Sequence, residues 1–489
     1  MTNTFIKTLK NEIFTENGAI TKISTENTLV DFFFHAPALR VANNFEKVLD
    51  LFKASFHFNK ELTLRSLFYI RDCRGGQGER RIFRMCLEWL AENETEWVIN
   101  NLKLIPEYGR WDDVLPLLKI TKVKEKAIKF LNTQYKLDLE SVANGAIEKL
   151  SLLGKWLPSE NTSSAATVNN AKILIKSGVF GTAKEYRKNL STLRSALQIV
   201  EKKLCNKEYE NIDYAKLPSY AALKYRAAFQ RNDEERYASY LTAVKSGKAK
   251  INAGTLYPYD LIKPYTDTIS WKSELDPTVE AQWKALPDYV PEINGLPICD
   301  TSGSMDGLPL QVAMSLSIYI AERNKSEVWK NYVIPFSSKA QLLEMKGETL
   351  LEKASSIYTG DCSNTNLQAV FDLILNRAIQ NNVSAEDMPK TLIIISDMEF
   401  DSGYFGLTNY ETIVKRYADA NYELPKLVWW NVASRSINTP VTTDDKGNIL
   451  LSGCSPSCLK IALDSKFNLY DTVLDIINQD RYLCIEYRV

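Results

Sequence analysis

The chain has 489 residues, with 60 Lys and Arg against 60 Asp and Glu. That length exceeds the roughly 250–300 residues one hydrophobic core organises, so two domains or more are expected. A hydrophobic fraction of 45% and a charged fraction of 25% exclude disorder, collagen-like repeats and disulfide-dense miniproteins, and a net charge of zero over the whole chain argues against nucleic-acid or membrane-surface binding.

The start, Met1-Thr2-Asn3-Thr4-Phe5-Ile6-Lys7, lacks the basic and apolar segments of a signal peptide. No apolar run reaches the ~18–20 residues that span a bilayer. The eight cysteines (Cys73, Cys86, Cys205, Cys299, Cys362, Cys454, Cys458 and Cys484) are scattered, without a zinc-ligand spacing. A soluble, cytoplasmic protein with reduced thiols and no membrane partner is therefore expected. The two histidines, His35 and His57, sit in Phe-rich stretches and are expected in the core or at its edge. Histidine-rich zinc sites and nucleophilic triads are correspondingly disfavoured.

From about 44 to 250, apolar residues recur at helical spacing: Phe45, Val48, Leu49, Phe52 and Phe56, then Leu62, Leu64, Leu67 and Ile70, then Ile82, Met85, Trp89 and Leu90. Further helices are predicted at about 111–119, 122–136, 142–153, 167–178, 184–205, 217–230 and 233–246. Short connectors carry turn chemistry, among them Gly75-Gly76-Gln77-Gly78. That loop lacks the Gly-Lys-[Ser/Thr] ending and the preceding strand of a phosphate-binding P-loop, so a helix–helix turn is predicted. The pattern fits a helical-repeat arc or ring, or a plain helical bundle. A Pro-, Trp- and Tyr-punctuated connector runs from about 251 to 290.

After 291 the pattern alternates. Strands are predicted at Leu296–Cys299, Val328–Phe336, Thr391–Ser396, Leu427–Val432 and Leu483–Tyr487. Helices are predicted at about 308–323, 365–379, 408–420 and 467–478. Such alternation predicts a doubly wound α/β domain with a mostly parallel sheet, over residues 291–489. Its ligands are expected beyond the carboxyl ends of the strands.

Three segments deliver oxygen side chains to that edge: Asp300-Thr301-Ser302-Gly303-Ser304, Gly360-Asp361-Cys362-Ser363-Asn364-Thr365, and Ser396-Asp397. Asp300, Ser302, Ser304, Thr365 and Asp397 form an all-oxygen set suited to a hard divalent cation, with magnesium preferred over calcium or manganese. One coordination position is left for an anionic oxygen of a partner. Glu399 and Asp401 are expected to lie in a solvated loop or to support the site from behind its ligands, with a catalytic carboxylate cluster as the alternative. An aspartyl-nucleophile phosphatase needs a second Asp where Ser302 stands, so no catalytic residue is expected.

Residues 1–290 hold 43 Lys and Arg against 35 Asp and Glu, a net of +8, whereas residues 291–489 hold 17 against 25, a net of −8. Overall neutrality is thus a cancellation, and nucleic-acid contact by the helical half returns as an expectation. Its candidates are Arg71, Arg74, Arg80, Arg81 and Arg84 around the glycine loop, Arg110 beside Trp111, and Lys184, Arg187 and Lys188. Arginine suits phosphate, and neighbouring aromatic rings suit base stacking.

The run Arg71-Asp72-Cys73-Arg74-Gly75-Gly76-Gln77-Gly78-Glu79-Arg80-Arg81, the segment Gly109-Arg110-Trp111, and the Asp-x-Ser-x-Ser, Thr and Asp set together resemble the TROVE-module proteins, the Ro ribonucleoprotein autoantigen family. Lys155-Trp156-Leu157-Pro158-Ser159, Tyr186-Arg187-Lys188, Leu217-Pro218-Ser219 and Ser396-Asp397-Met398-Glu399-Phe400 resemble an uncharacterised branch of it. The resemblance runs from about residue 40 to the C-terminus. It implies a HEAT-like helical ring or arc (residues 1–290) followed by a von Willebrand factor A domain (residues 291–489) with a metal-ion-dependent adhesion site. It also implies binding of small noncoding or misfolded RNA, structured or single-stranded. The expected function is a non-enzymatic RNA-binding scaffold. The alternatives are a metal-dependent module that captures an acidic protein ligand without RNA, and a magnesium-dependent phosphoester hydrolase.

Overall fold

The computed structural model describes residues 11–39, 45–266, 274–403 and 407–488. In chain order, hairpin strands β1 (Glu12–Phe14) and β2 (Ile20–Lys22) precede helices α1 (Thr28–Leu39), α2 (Phe45–Phe58), α3 (Lys60–Arg71) and α4 (Arg80–Asn93). Helices α5 (Thr121–Ala143), α6 (Ala165–Lys176), α7 (Ala183–Ala196), α8 (Ser219–Asn232) and α9 (Glu234–Lys245) follow. The remainder comprises α10 (Pro277–Lys284), β3 (Gly295–Asp300), α11 (Leu308–Arg323), β4 (Tyr332–Phe336), β5 (Leu343–Glu344), α12 (Leu350–Ile357) and α13 (Leu367–Asn381). It ends with β6 (Thr391–Ser396), α14 (Asn409–Asp419), β7 (Lys426–Asn431), β8 (Asn448–Ser452) and α15 (Leu469–Ile477). A helical N-terminal region is therefore followed by a mixed, mostly parallel sheet region. Among the described residues, no helix is long and apolar enough to cross a membrane.

Three predicted elements differ. The segment expected as a helix over 111–119 forms two 3-10 turns, Trp111–Asp113 and Leu115–Lys119, with Pro116 at the start of the second. The helix expected over 142–153 is replaced by the end of α5, a Gly145 turn with φ +71° and short turns beyond it. The apolar run Leu483–Tyr487 forms no strand, because the short helix Asp480–Leu483 claims its start. Strand β8 takes the sheet edge instead.

The chain packs as two compact units, and they do not divide near residue 290. One comprises Met1–Ile70, Gly75–Ile82 and Ala253–Glu486; the other comprises Arg71–Arg74, Phe83–Asn252 and Tyr487–Val489. The first hairpin and helices thus belong with the sheet.

In that first unit the strand order is β5-β4-β3-β6-β7-β8, with β4-β3-β6-β7-β8 parallel and β5 antiparallel at the edge. Strands β3 and β6 are buried at every position, as parallel strands covered on both faces must be. The chain leaves β3 toward β4 on one side and returns to β6 on the other. The topological switch point therefore falls between the carboxyl ends of β3 and β6.

Helix α1 is apolar all round, and all but its first residue are buried. It packs against β7, β8, α2 and α15, which makes it a core helix rather than an amphipathic repeat element. Pro37 has no N–H to offer the Phe33 carbonyl one turn back, and the Ser452 hydroxyl donates to that carbonyl instead, at 3.3 Å. In the turn between α3 and α4, Gly78 has φ +63°, and a Cβ there would fall 1.9 Å from the Tyr257 hydroxyl. The loop is the expected helix–helix turn.

His35 is fully buried in α1, as expected, and neither ring nitrogen has a hydrogen-bond partner among the described residues. His57 instead faces solvent, its Nδ1 2.7 Å from the Lys53 carbonyl oxygen, because Phe52 and Phe56 occupy the buried face of α2. Burial lowers the His35 pKa to about 3. The unfolded chain then takes up a proton below about pH 6.5 that the folded chain refuses, so stability falls as pH drops through that range. Relative to His35→Phe, wild type is expected to lose about 2 kcal/mol between pH 7 and pH 5 in urea unfolding. An equal pH dependence of the two proteins contradicts this. Asp31, on the same helix, is pushed up to about 6 by burial and works in the opposite direction, so the comparison with the variant isolates His35.

The second unit packs its helices on aromatic clusters. Tyr135, Phe180 and Tyr186 form one, and Tyr214, Phe229, Tyr237 and Tyr240 another. Helix α7 starts with a reciprocal cap, Thr182 accepting from the Glu185 N–H while Glu185 accepts from the Thr182 N–H. Arg194 near its end donates to the carbonyls of Gly154 and Leu157 and to the Ser159 hydroxyl, and the Tyr186 hydroxyl donates to the Pro158 carbonyl. The Lys155-Trp156-Leu157-Pro158-Ser159 segment is therefore clamped by α7.

Candidate functional site

At the switch point, β3 ends on Asp300 and β6 runs into Asp397. Asp300 is fully buried, with one carboxylate oxygen accepting from the Ser302 N–H at 2.9 Å and the other from the Ser396 hydroxyl at 2.5 Å. The Ser396 hydroxyl in turn accepts from the N–H of Met398, which holds φ +65°. A buried methionine in the left-handed region is strained, and its place directly after Asp397 fixes how the loop turns over the strand end. The Ser302 and Ser304 hydroxyls lie 3.1 Å apart. Thr365 is brought in by the loop before α13, where the Ser337 hydroxyl at the end of β4 donates to the Asn364 carbonyl and accepts its N–H. The Thr365 N–H donates to Asp401, whose own N–H returns to the Thr365 carbonyl.

Asp300, Ser302, Ser304, Thr365 and Asp397 are thus carried on the three loops at one end of the sheet. Burial, and then the neighbouring Asp397 charge, raise the Asp300 carboxyl above its usual range; burial also raises Asp397. Asp397 Oδ2 is buried and has no hydrogen-bond partner among the described residues. Two buried carboxylates side by side, one with an unmatched oxygen, form an arrangement that a divalent cation relieves. The donors are all oxygen, which suits magnesium, calcium or manganese. No group of three or more His, Cys, Asp or Glu is placed to hold a metal among the described residues, so hydroxyls and water complete any coordination here.

The other two acids of this loop are engaged. Glu399 accepts from the Glu16 N–H, the Ser436 hydroxyl and the Asn438 side-chain amide. Asp401 accepts from the Thr365 N–H. Both brace the loop. Glu16 and Asn438 come from distant parts of the sequence, and no pattern in the chain foretold them.

The predicted RNA-contacting residues separate into two classes. Arg71 is 2% exposed and gives two N–H groups to Asp113, which is wholly buried. Arg84 donates to the second oxygen of Asp113, and Arg110 pairs with Asp112 while its backbone N–H also reaches Asp113. The Arg110 guanidinium lies 4.0 Å over the Trp156 ring. Arg71 is thus committed to the interior, which leaves it no surface to offer RNA, whereas Arg84 and Arg110 are 25% and 30% exposed and already paired with acids. A Cβ on Gly109 would lie 2.4 Å from Asp113 Oδ2, which explains the glycine of the Gly-Arg-Trp segment.

Arg74 is exposed and caps the Glu107 carbonyl. Arg81 stacks on Phe45, and it and Arg80 fall in the sheet-bearing unit. Lys184, Arg187 and Lys188 remain on the exposed face of α7, Arg187 paired with Glu160. Lys172 and Lys176, one turn apart on α6, are also exposed and carry the same chemistry. Their spacing was readable, but they lack the aromatic and arginine neighbours that marked the other clusters. A cleft of 570 Å³ beside them is lined by Lys155, Trp156, Tyr186, Arg187 and Lys202, and a second of 530 Å³ shares Trp156.

Residues 15–141 and 125–294 match the family described as a domain of unknown function, DUF2828, over more than half of the chain. The chain belongs to the DUF2828 family. Residues 294–480 match a second domain of unknown function, DUF7788, which spans the parallel strands and the oxygen site. The uncharacterized protein L728 of Acanthamoeba polyphaga mimivirus is 29% identical, over 96% of this chain and 88% of its own length. Among solved structures, the Ro (RSR) protein of Deinococcus radiodurans aligns over 94% of this chain and 99% of its own, at 15% identity and a TM-score of 0.46.

Proposed function

We propose that this DUF2828 protein is a non-enzymatic RNA-binding scaffold. On this reading the helical unit contacts RNA, and the sheet-bearing unit is a von Willebrand factor A domain holding a divalent cation, magnesium before calcium or manganese. The helices of the second unit are read as HEAT-like repeats.

The observation that carries the RNA reading is the distribution of charge between the compact units. The helical unit holds 31 Lys and Arg against 21 Asp and Glu, a net of +10, and the sheet-bearing unit carries −10. The division is sharper than the cut at residue 290, because residues 253–290, with 3 Lys and Arg against 6 Asp and Glu, group with the sheet and Arg488 groups with the helices. Exposed lysines on α6 and α7 beside the Trp156 clefts supply phosphate contacts and an aromatic ring for a base. The motifs shared with TROVE-module proteins support the same function. An electrophoretic mobility shift with structured and single-stranded RNA at two salt concentrations tests it. Binding at low salt that weakens as salt rises is expected, since phosphate contacts release counterions. Negligible affinity at low salt, or affinity indifferent to salt, overturns it.

One observation favours a second reading, capture of an acidic protein ligand through the cation without RNA: the unmatched, buried Asp397 Oδ2 in an all-oxygen cradle. Asp300→Ala then abolishes partner capture and leaves any RNA affinity unchanged. Hydrolysis is less well served, since Glu399 and Asp401 are occupied by loop hydrogen bonds.

A further inference from the structure

The 570 Å³ cleft of the helical unit combines an apolar floor with one acid among basic residues. Trp156, Leu190 and Ile199 line it as apolar groups, and Glu201, Lys155 and Lys202 as charged ones. Its volume falls in the range of about 300–1,000 Å³ that small-molecule sites occupy. Leu190 is a buried residue of α7. The turn after α7 passes through Gln198, with φ +47°, and delivers Ile199 ahead of the short helix Val200–Cys205, which carries Glu201 and Lys202. The Arg110 guanidinium covers one face of Trp156, 4.0 Å from the ring centre, which leaves a planar ligand the other face.

Glu201 is incompletely satisfied. Its Oε1 accepts from the Tyr225 hydroxyl at 3.2 Å, long for a hydroxyl on a carboxylate. Its Oε2 is packed out of solvent with no hydrogen-bond partner among the described residues. An unmatched oxygen of this kind carries a desolvation cost that a ligand's donor returns. The other acid of the cleft, Glu160, is already taken by Arg187 at 2.7 Å. Lys202 is exposed and donates to the Ser195 hydroxyl, with two further N–H donors to give.

We propose that this cleft holds one guanine of a single RNA strand, its Watson–Crick edge on Glu201 and its phosphate on Lys202 and Lys155. This rests on the RNA reading above and names the base that the helical unit selects. Guanine alone presents two adjacent N–H donors on that edge, N1–H and the 2-amino group, which a carboxylate accepts side by side. Adenine and cytosine set a ring-nitrogen acceptor beside their single amino group, and uracil flanks its N–H with two carbonyls, so each turns a lone pair toward the carboxylate. Trp156 supplies the stacking surface, which tolerates any base and leaves the choice to Glu201. Tyr225 competes for the same carboxylate, and Glu201 gives up its long bond to that hydroxyl when the two N–H groups arrive.

Calorimetric titration of the full chain with GMP, AMP, CMP and UMP at one low salt concentration reads the preference. GMP is expected to bind about tenfold more tightly than the other three, with inosine monophosphate, which lacks the 2-amino group, in between. Glu201→Gln abolishes the preference, whereas Lys202→Gln weakens all four nucleotides alike. Tyr225→Phe frees the carboxylate and tightens GMP without changing AMP, which a merely structural Glu201 would not do. Unchanged melting midpoints show that the variants fold. An octamer of uridines with one central guanosine is then expected to bind about tenfold more tightly than the all-uridine octamer. If GMP and AMP bind alike, or the two octamers do while both weaken with salt, the guanine cleft is overturned and the RNA reading stands. A preference for GMP without one for the guanosine octamer marks a free-nucleotide site and overturns the strand. If neither octamer binds, the RNA reading itself fails.

Discussion

Asp113→Ala is expected to cost the helical unit about 3–5 kcal/mol, the penalty for leaving a buried charge unpaired. Asp113 is wholly buried and serves three arginines: Arg71 through two N–H groups, Arg84 through its second oxygen, and the backbone N–H of Arg110. Removing it strands the Arg71 guanidinium, itself 2% exposed, in an interior that cannot solvate it. The urea midpoint of the helical unit falls, and the loss persists at high salt because buried pairs are little screened. Arg71→Met combined with Asp113→Leu is expected to lose less than Asp113→Ala alone, since an apolar pair of similar volume needs no solvation. A loss under about 1 kcal/mol in Asp113→Ala, the range of exposed pairs, contradicts the structural role assigned here.

The second large effect is at the oxygen site, and its sign depends on the cation. Without divalent metal, Asp397→Asn is expected to be more stable than wild type at pH 7, by about 1–3 kcal/mol, because it removes one of two buried charges that repel. Both carboxyls are raised above their unfolded range, so the wild-type penalty grows as pH rises and disappears as pH falls and the pair protonates. The advantage of Asp397→Asn therefore shrinks toward pH 4. With magnesium at about 100 times its dissociation constant, wild type gains about 2.7 kcal/mol and the variant gains little, so the order reverses. Thermal melts of both proteins with and without magnesium read this directly. Indifference of wild type to magnesium, with a variant less stable at pH 7, is the opposing result.

The placement of the two site aspartates was legible because each follows an apolar run: Leu296–Cys299 leads into Asp300, and Thr391–Ser396 into Asp397. Strand position and chemistry coincide there. Arg71 was misread because charge was weighed before periodicity. Arg71 follows Leu64 and Leu67 by seven and four residues, which places it on the buried face of α3, but its partner lies 42 residues on. Strand β8 was readable as Ile449-Leu450-Leu451 between Gly447 and Gly453, whereas Leu483–Tyr487 had a similar texture and formed none. Short apolar runs do not distinguish a sheet edge from a loop against the core. The hairpin tip was illegible for a different reason. Strands β1 and β2 have three residues each, and what places them is contact with residues 365–439. The Phe-rich, all-round apolar α1 did carry a signal that the N-terminal segment belongs to a central core.

The central claim is that RNA binds the basic face of the helical unit, and the salt dependence of affinity tests it most directly. For single-stranded RNA, log affinity should fall linearly with log salt, with a slope of about −0.7 per phosphate contacted. Replacing Lys172, Lys176, Lys184 and Lys188 by Gln removes four exposed charges from α6 and α7. The slope should then become shallower by about 3, with affinity lowered across RNA sequences alike. Identical slopes for wild type and the four-lysine variant would contradict the account.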